Sequence, residues 1–131
     1  MLLNKIMGRI KKYIEINGKK FWTLFDTGSR NTYVTEEVAI NLLTFDLPKV
    51  NPVSLGGSVH NISKGCILIC KIEGYDVTDD ARVMKKIGKD DDGKEIEILL
   101  GALTMQQWGI IPVPEKEDID MSRYPKEFVE F

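Results

Sequence analysis

The sequence predicts an all-β domain, a compact barrel or sandwich with one or two short helices. Three observations lead there. Short runs rich in β-branched and aromatic residues recur along the chain, Gly, Asn and Pro punctuate them, and just two stretches suit a helix. At 131 residues the chain has the size of a single domain, able to bury roughly 65–70% of its unfolded surface. No internal repeat divides it, and no linker is long enough to do so.

Taken in order, "RIKKYIEI" and "KKFWTLF" read as strands around Asn17-Gly18, a pair suited to the two positive φ angles of a type I′ hairpin turn. "LFDTGS" then runs an apolar strand into a carboxylate and breaks it with glycine, and a short extended "NTYV" follows. "TEEVAINLL" reads as a short helix, with Thr35 as N-cap and Glu36 and Glu37 where the helix dipole favours acids. Pro48 and Pro52 predict a loop. "PVSLGGSVHNISKGCILICKIEG" predicts a long hairpin and a strand ending at Gly74, "YDVTDDARVM" another strand, and "KKIGKDDDGKEIEILL" a charged hairpin returning to a buried strand. "GALTMQQWGI" suits the second helix. The remainder, proline-punctuated and charged, cannot build a core of its own. Trp22 is expected in the core, and Trp108 in the core or at an interface between subunits.

Composition narrows the function classes. A formal net charge of −2 gives no reason to expect nucleic acid or an anionic membrane as partner. No apolar run reaches the ~18–20 residues that span a bilayer, and the N-terminus lacks a signal-peptide core and cleavage site. Cys66 and Cys70 share a predicted strand, which sets them roughly 13 Å apart, too far for a disulfide. They read as reduced core thiols, which suits a cytoplasmic location. His60 has no partner at metal-ligand spacing and reads as a surface-loop residue. In "GKDDDGKEIEIL", placing Gly93 at the sixth position of a calcium loop puts Gly88 first and Leu99 twelfth, so both required carboxylates are missing. A solvated Asp-Gly turn is expected, with no metal and no cofactor.

The stretch "LFDTGSRNTYVTEEVAINLL" resembles the active-site segment of retropepsin-like aspartic proteases. "VSLGGSVHNISKG" sits where that family places its flap, a glycine-bearing hairpin that closes over substrate. "ILLGALTMQQWGI" resembles the family's second signature, two apolar residues and a glycine before a short helix. The three occur in family order across roughly residues 10–111. The resemblance implies an all-β acid-protease barrel over residues 1–111 and a tail over 112–131 that lacks a clear counterpart. That tail is expected at the dimer interface, where "KEFVEF" would add a strand to an inter-subunit sheet. Draped over the domain, or lying in the cleft as an autoinhibitor, it would play a different part.

The chemistry agrees with the resemblance. Splitting a peptide bond without metal or nucleophile needs one carboxylate to activate water and one carboxylic acid to protonate the carbonyl. Two carboxyls sharing a site hold one proton between them and titrate as a pair. One chain offers one DTG, so two copies of Asp26 must meet on a two-fold axis, and a homodimer becomes a condition of activity. Gly28 is expected to allow the tight turn beside the carboxylate, and Thr27, by resemblance, to hydrogen-bond across the dimer axis. Ser29 is expected to donate its hydroxyl to the outer oxygen of Asp26, favouring the charged form and an acid-leaning optimum. Leu99, Leu100 and Gly101 would pack beside the DTG loop. In the flap, Gly56 and Gly57 would give mobility, while backbone near Ser58 and Val59 would hold an extended peptide, apolar in its preference. Ala102 departs from the polar or larger residue many family members carry there, and the flap has no aromatic. The competing reading is a retropepsin-like fold kept as a dimerisation or peptide-binding module with little turnover.

Overall fold

The computed structural model describes residues 9–130. Strands β1 (Arg9–Ile16) and β2 (Lys19–Asp26) form the first hairpin, and positive φ at both Asn17 and Gly18 makes the turn the sequence predicts. β3 (Tyr33–Thr35) leads into helix α1 (Glu36–Ala39), where the Thr35 hydroxyl accepts from the Val38 amide as an N-cap should. This helix is shorter than expected. It ends in a turn that the Asn41 side chain holds through the Glu37 and Val38 carbonyls, and a strand begins at Leu43.

Two long strands, β4 (Leu43–Leu55) and β5 (Ser58–Ile72), make the largest hairpin, and β6 (Tyr75–Met84) returns beside β5. Pro48 and Pro52 lie within β4, not in a loop. β4 is the outer strand of its sheet and its register shifts between Asp46 and Asn51, the two settings in which a strand tolerates a residue without an N–H. His60 correspondingly sits in β5, half-buried opposite Val53, because the hairpin extends further than a loop reading allowed. The charged segment forms the small hairpin of β7 (Gly88–Lys89) and β8 (Glu95–Ile96), followed by β9 (Ile98–Leu100) and helix α2 (Ala102–Trp108).

The principal sheet runs β1-β2-β9-β3-β6-β5-β4, and Glu15 on β1 also pairs with Lys71 on β5. That extra pairing closes six of the strands into a ring, removing most of the exposed edge. Inside lie Ile14, Phe25, Val34, Leu68, Val77, Ile98 and Leu100, all at most 2% exposed. Cys66 and Cys70 belong to this core as free thiols, and burial pushes them up to about 11 and about 12, so neither is a reactive thiolate. Trp22 is not a core residue. It alternates with Thr23 and Phe25 on β2, and those two take the interior. Its ring lies against Tyr13, its Nε1 donates to Asp90, and the Lys94 ammonium sits 4.0 Å above it.

After α2 the chain forms a hairpin of β10 (Ile111–Val113) and β11 (Asp118–Asp120), then crosses back over its own domain. Ile119 and Met121 enter the core, Tyr124 stacks on Trp108, and Phe128 meets the same indole edge-on. Within the single chain the tail is thus draped on the domain, and "KEFVEF" up to Glu130 forms no strand.

Candidate active site

β9 enters the sheet between β2 and β3, although β2 and β3 are neighbours in sequence. It runs parallel to β2, with Leu24 opposite Leu99 and Phe25 opposite Leu100, and antiparallel to β3. The connector from Asp26 to Thr32 must therefore pass over the end of β9 where the chain leaves it at Gly101. A Cβ on Gly101 would lie 2.2 Å from the Asn31 carbonyl oxygen and 2.8 Å from that of Arg30, so only glycine fits the crossing.

The crossing is tied by backbone. Ala102 and Leu103, the first residues of α2, donate their N–H groups to the carbonyls of Ser29 (2.7 Å) and Arg30 (3.1 Å). The contribution of Ala102 is therefore its amide. Thr32 adds a side-chain bridge that the sequence reading missed. Its buried hydroxyl oxygen accepts from the Gly101 N–H at 3.0 Å and shares a hydrogen bond with the Thr104 hydroxyl at 2.7 Å. Thr32→Val keeps the shape and orphans both partners, so it should cost about 1–3 kcal/mol in urea unfolding. A loss under a few tenths would show that the bridge carries no weight.

Asp26 closes β2 with its side chain 9% accessible, while Thr27 and Gly28 beside it are exposed. The Gly28 N–H donates to Asp26 Oδ1 at 2.8 Å, and a Cβ on Gly28 would come within 3.1 Å of that oxygen. Ser29 differs from expectation. Its hydroxyl donates to the Asn31 carbonyl at 3.0 Å and not to Asp26, because the turn bends its side chain along the connector. Ser29→Ala should then leave a pH–rate profile unmoved and lower stability by about 0.5–1.5 kcal/mol. A shifted profile would restore the carboxylate role.

Arg9 was also missed. Its Nε lies 3.3 Å from Asp26 Oδ2, and Arg9 and Asp26 are direct cross-strand partners. The signal was present in the sequence. A two-residue turn at Asn17-Gly18 fixes the register of the whole hairpin, and counting outward from it sets Arg9 opposite Asp26.

Gly56 and Gly57, both at positive φ, form the tip of the β4–β5 hairpin, with Ser58 and Val59 following; Val59 is 70% exposed. Lower on the same arm, Val53 and Leu55 pack in a second apolar cluster with Tyr33, Leu99 and Leu24. Leu24 stands two residues before Asp26 on the same face of β2, so the hairpin lies over the strand that carries the carboxylate. No hydrogen bond joins the tip to Asp26 among the described residues.

Beside Arg9, the partner of Asp26, a cavity of about 300 Å³ is lined by Lys11, Leu24, Lys89, Asp90, Asp91 and Ile96. A second, of about 390 Å³, runs from Thr27 along Ala102, Met105, Gln106 and Ile110 to Arg123. The Asp90–Asp92 turn clusters three carboxylates, and Lys11 sits among them, 2.6 Å from Asp91 and 3.2 Å from Asp92. That lysine holds the Asp91 carboxyl down to about 2, and the arrangement is a lysine-bridged turn.

No sequence profile of a known family matches the chain, and no curated protein matches it in sequence. Solved structures do match in shape. The retroviral protease-like domain of Ddi1 from Leishmania major superposes with a TM-score of 0.60 at 11% identity, over 88% of this chain and 89% of that one. The EIAV protease complexed with the inhibitor HBY-793 gives 0.55 at 17% identity, over 77% and 88%. The foamy viral protease-reverse transcriptase in complex with an RNA/DNA hybrid gives 0.51 at 10% identity, over 77% of this chain and 12% of that one. Six strands closed into a ring, a strand inserted between β2 and β3, and these superpositions agree: the chain has the retropepsin-like fold of the retroviral-type proteases.

Proposed function

We propose that two copies of this chain meet on a two-fold axis and hydrolyse peptide bonds as a homodimeric aspartic endopeptidase. The observation that carries this reading is a nearly buried carboxylate, Asp26, fixed at a strand end by the Gly28 amide and flanked by exposed backbone that a second copy can approach. A single carboxyl cannot be both acid and base, and the chain has one DTG. In the paired site a water lies between the two Asp26 carboxyls. One, ionised, takes a proton from the water as its oxygen attacks the peptide carbonyl carbon. The other gives its proton to the carbonyl oxygen, producing a neutral tetrahedral diol. Collapse of the diol returns a proton to the leaving nitrogen and breaks the C–N bond, so atoms and charge balance and no cofactor is consumed.

Thr27 would bond across the axis, and the tip residues Gly56 to Val59 would close over an extended peptide, pairing with its backbone as an added strand. Leu24 and Leu99 in the cluster under the hairpin favour apolar side chains near the cut. A cytoplasmic setting fits two buried free thiols. The second reading, a peptide-binding or dimerisation module, draws support from Arg9, which sits against the carboxylate a protease must use.

The test is cleavage of a broad peptide library from roughly pH 3 to pH 7, with solution mass recorded alongside. Cleavage confined to a species of twice the monomer mass is the expected result. A well-formed dimer that cleaves nothing, and does not cut itself slowly at acid pH, would establish the binding module instead.

A further inference from the structure

We propose that Arg9 is a latch on Asp26, seated on the carboxylate in the single chain and displaced when two copies assemble. The inference deepens the endopeptidase reading and rests on its dimer. Both oxygens of Asp26 are engaged within one chain, Oδ1 by the Gly28 amide at 2.8 Å and Oδ2 by the Arg9 guanidinium at 3.3 Å. A shared-proton pair needs at least one oxygen of each carboxyl turned to its mate and to the water between them. The Gly28 contact comes from the turn itself and cannot be released without unmaking it. The Arg9 contact is a side chain that is 38% accessible and can leave.

The fold also supplies somewhere for it to go. The cavity beside Arg9 is about 300 Å³, enough for a guanidinium to swing, and its lining carries Asp90 and Asp91, Lys11 and Lys89, and the apolar Leu24 and Ile96. Asp90 is held in place by Trp22 Nε1 at 2.8 Å and Asp91 by Lys11 at 2.6 Å, so the carboxylates of the wall are fixed, and Lys11 and Lys89 stand among them. Arg9 therefore has two seats, one on Asp26, set by the hairpin register from Asn17-Gly18, and one in the open space of the cavity. A two-seat side chain biased by assembly is a switch in the ordinary thermodynamic sense: pairing of the chains supplies the energy that moves it. Its effect is to keep Asp26 of an unpaired chain occupied.

Because each dimer must open two latches, removing the charge should tighten association. Sedimentation equilibrium of the full chain is compared for wild type, Arg9→Gln and Arg9→Lys. The expected result is a dimer dissociation constant lower by roughly fourfold to twenty-fivefold in Arg9→Gln, the square of a two- to fivefold ion-pair effect, with Arg9→Lys close to wild type. In parallel, the Arg9 Nε–Hε resonance of dilute protein should move on Asp26→Asn, and should move in wild type as concentration drives pairing. An unchanged or raised dissociation constant in Arg9→Gln overturns the latch, the raised value marking Arg9 as an interface residue. So does the absence of dimers in both proteins, or a resonance indifferent to Asp26→Asn. A dimer tightened by Arg9→Gln that cleaves no peptide keeps the latch and refutes the endopeptidase.

Discussion

Gly101→Ala should cost the domain about 3 kcal/mol or more, and with that loss much of the native population. The added methyl would meet the Asn31 carbonyl oxygen at 2.2 Å, its carbon at 2.6 Å and the Arg30 carbonyl oxygen at 2.8 Å. All three are backbone atoms, so no rotamer change relieves the contact, and the connector must lift from the end of β9. Lifting it breaks the hydrogen bonds that the Ala102 and Leu103 N–H groups donate to the Ser29 and Arg30 carbonyls, and with them the one from the Gly101 N–H to the Thr32 hydroxyl oxygen. Gly101 has φ −92°, a value any residue adopts, so the effect is one of crowding and owes nothing to backbone preference. Urea unfolding followed by circular dichroism measures it. A variant within 1 kcal/mol of wild type, on the scale of an ordinary surface change, would mean that the connector does not cross β9 this closely.

The same crossing explains how much of the fold could be read from the residues. Strand positions follow from period-two patterns, and the type I′ turn at Asn17-Gly18 fixed a register that held to the last pair, Arg9 with Asp26. The insertion of β9 between β2 and β3 is a long-range pairing with no local signal; the resemblance set Leu99, Leu100 and Gly101 beside the DTG loop but did not give the strand order. Side-chain partners were least legible. Ser29 stands next to Gly28 in every reading, yet its hydroxyl faces Asn31 because the connector bends there. Thr32 looked like part of an extended segment and is a buried bridge to Gly101 and Thr104, since its partners come from residues that meet it only after folding. Trp22 misled by its hydrophobicity. Period two already assigned it to the face of Leu24 and Asp26, opposite the interior side of Phe25.

Asp26→Asn should abolish cleavage, by at least about 10³-fold, and leave the chain folded and paired. The substituted amide retains the shape of the carboxylate and an oxygen for the Gly28 N–H, so the turn survives. Loss of the Arg9 contact, on a guanidinium that is 38% accessible, changes stability by no more than about 1 kcal/mol. What disappears is chemistry: neither a base for the water nor an acid for the carbonyl remains in either subunit. Mixing makes the test sharper. When a fixed amount of wild type is allowed to exchange with an equal amount of Asp26→Asn, well above the dimer dissociation constant, random pairing leaves half of the wild-type chains in mixed dimers. Activity should then fall by about half if each site needs both carboxyls. If each chain worked alone, the added variant would leave the rate unchanged, and the two-fold site would have to be given up even though the Asp26→Asn protein itself were inactive.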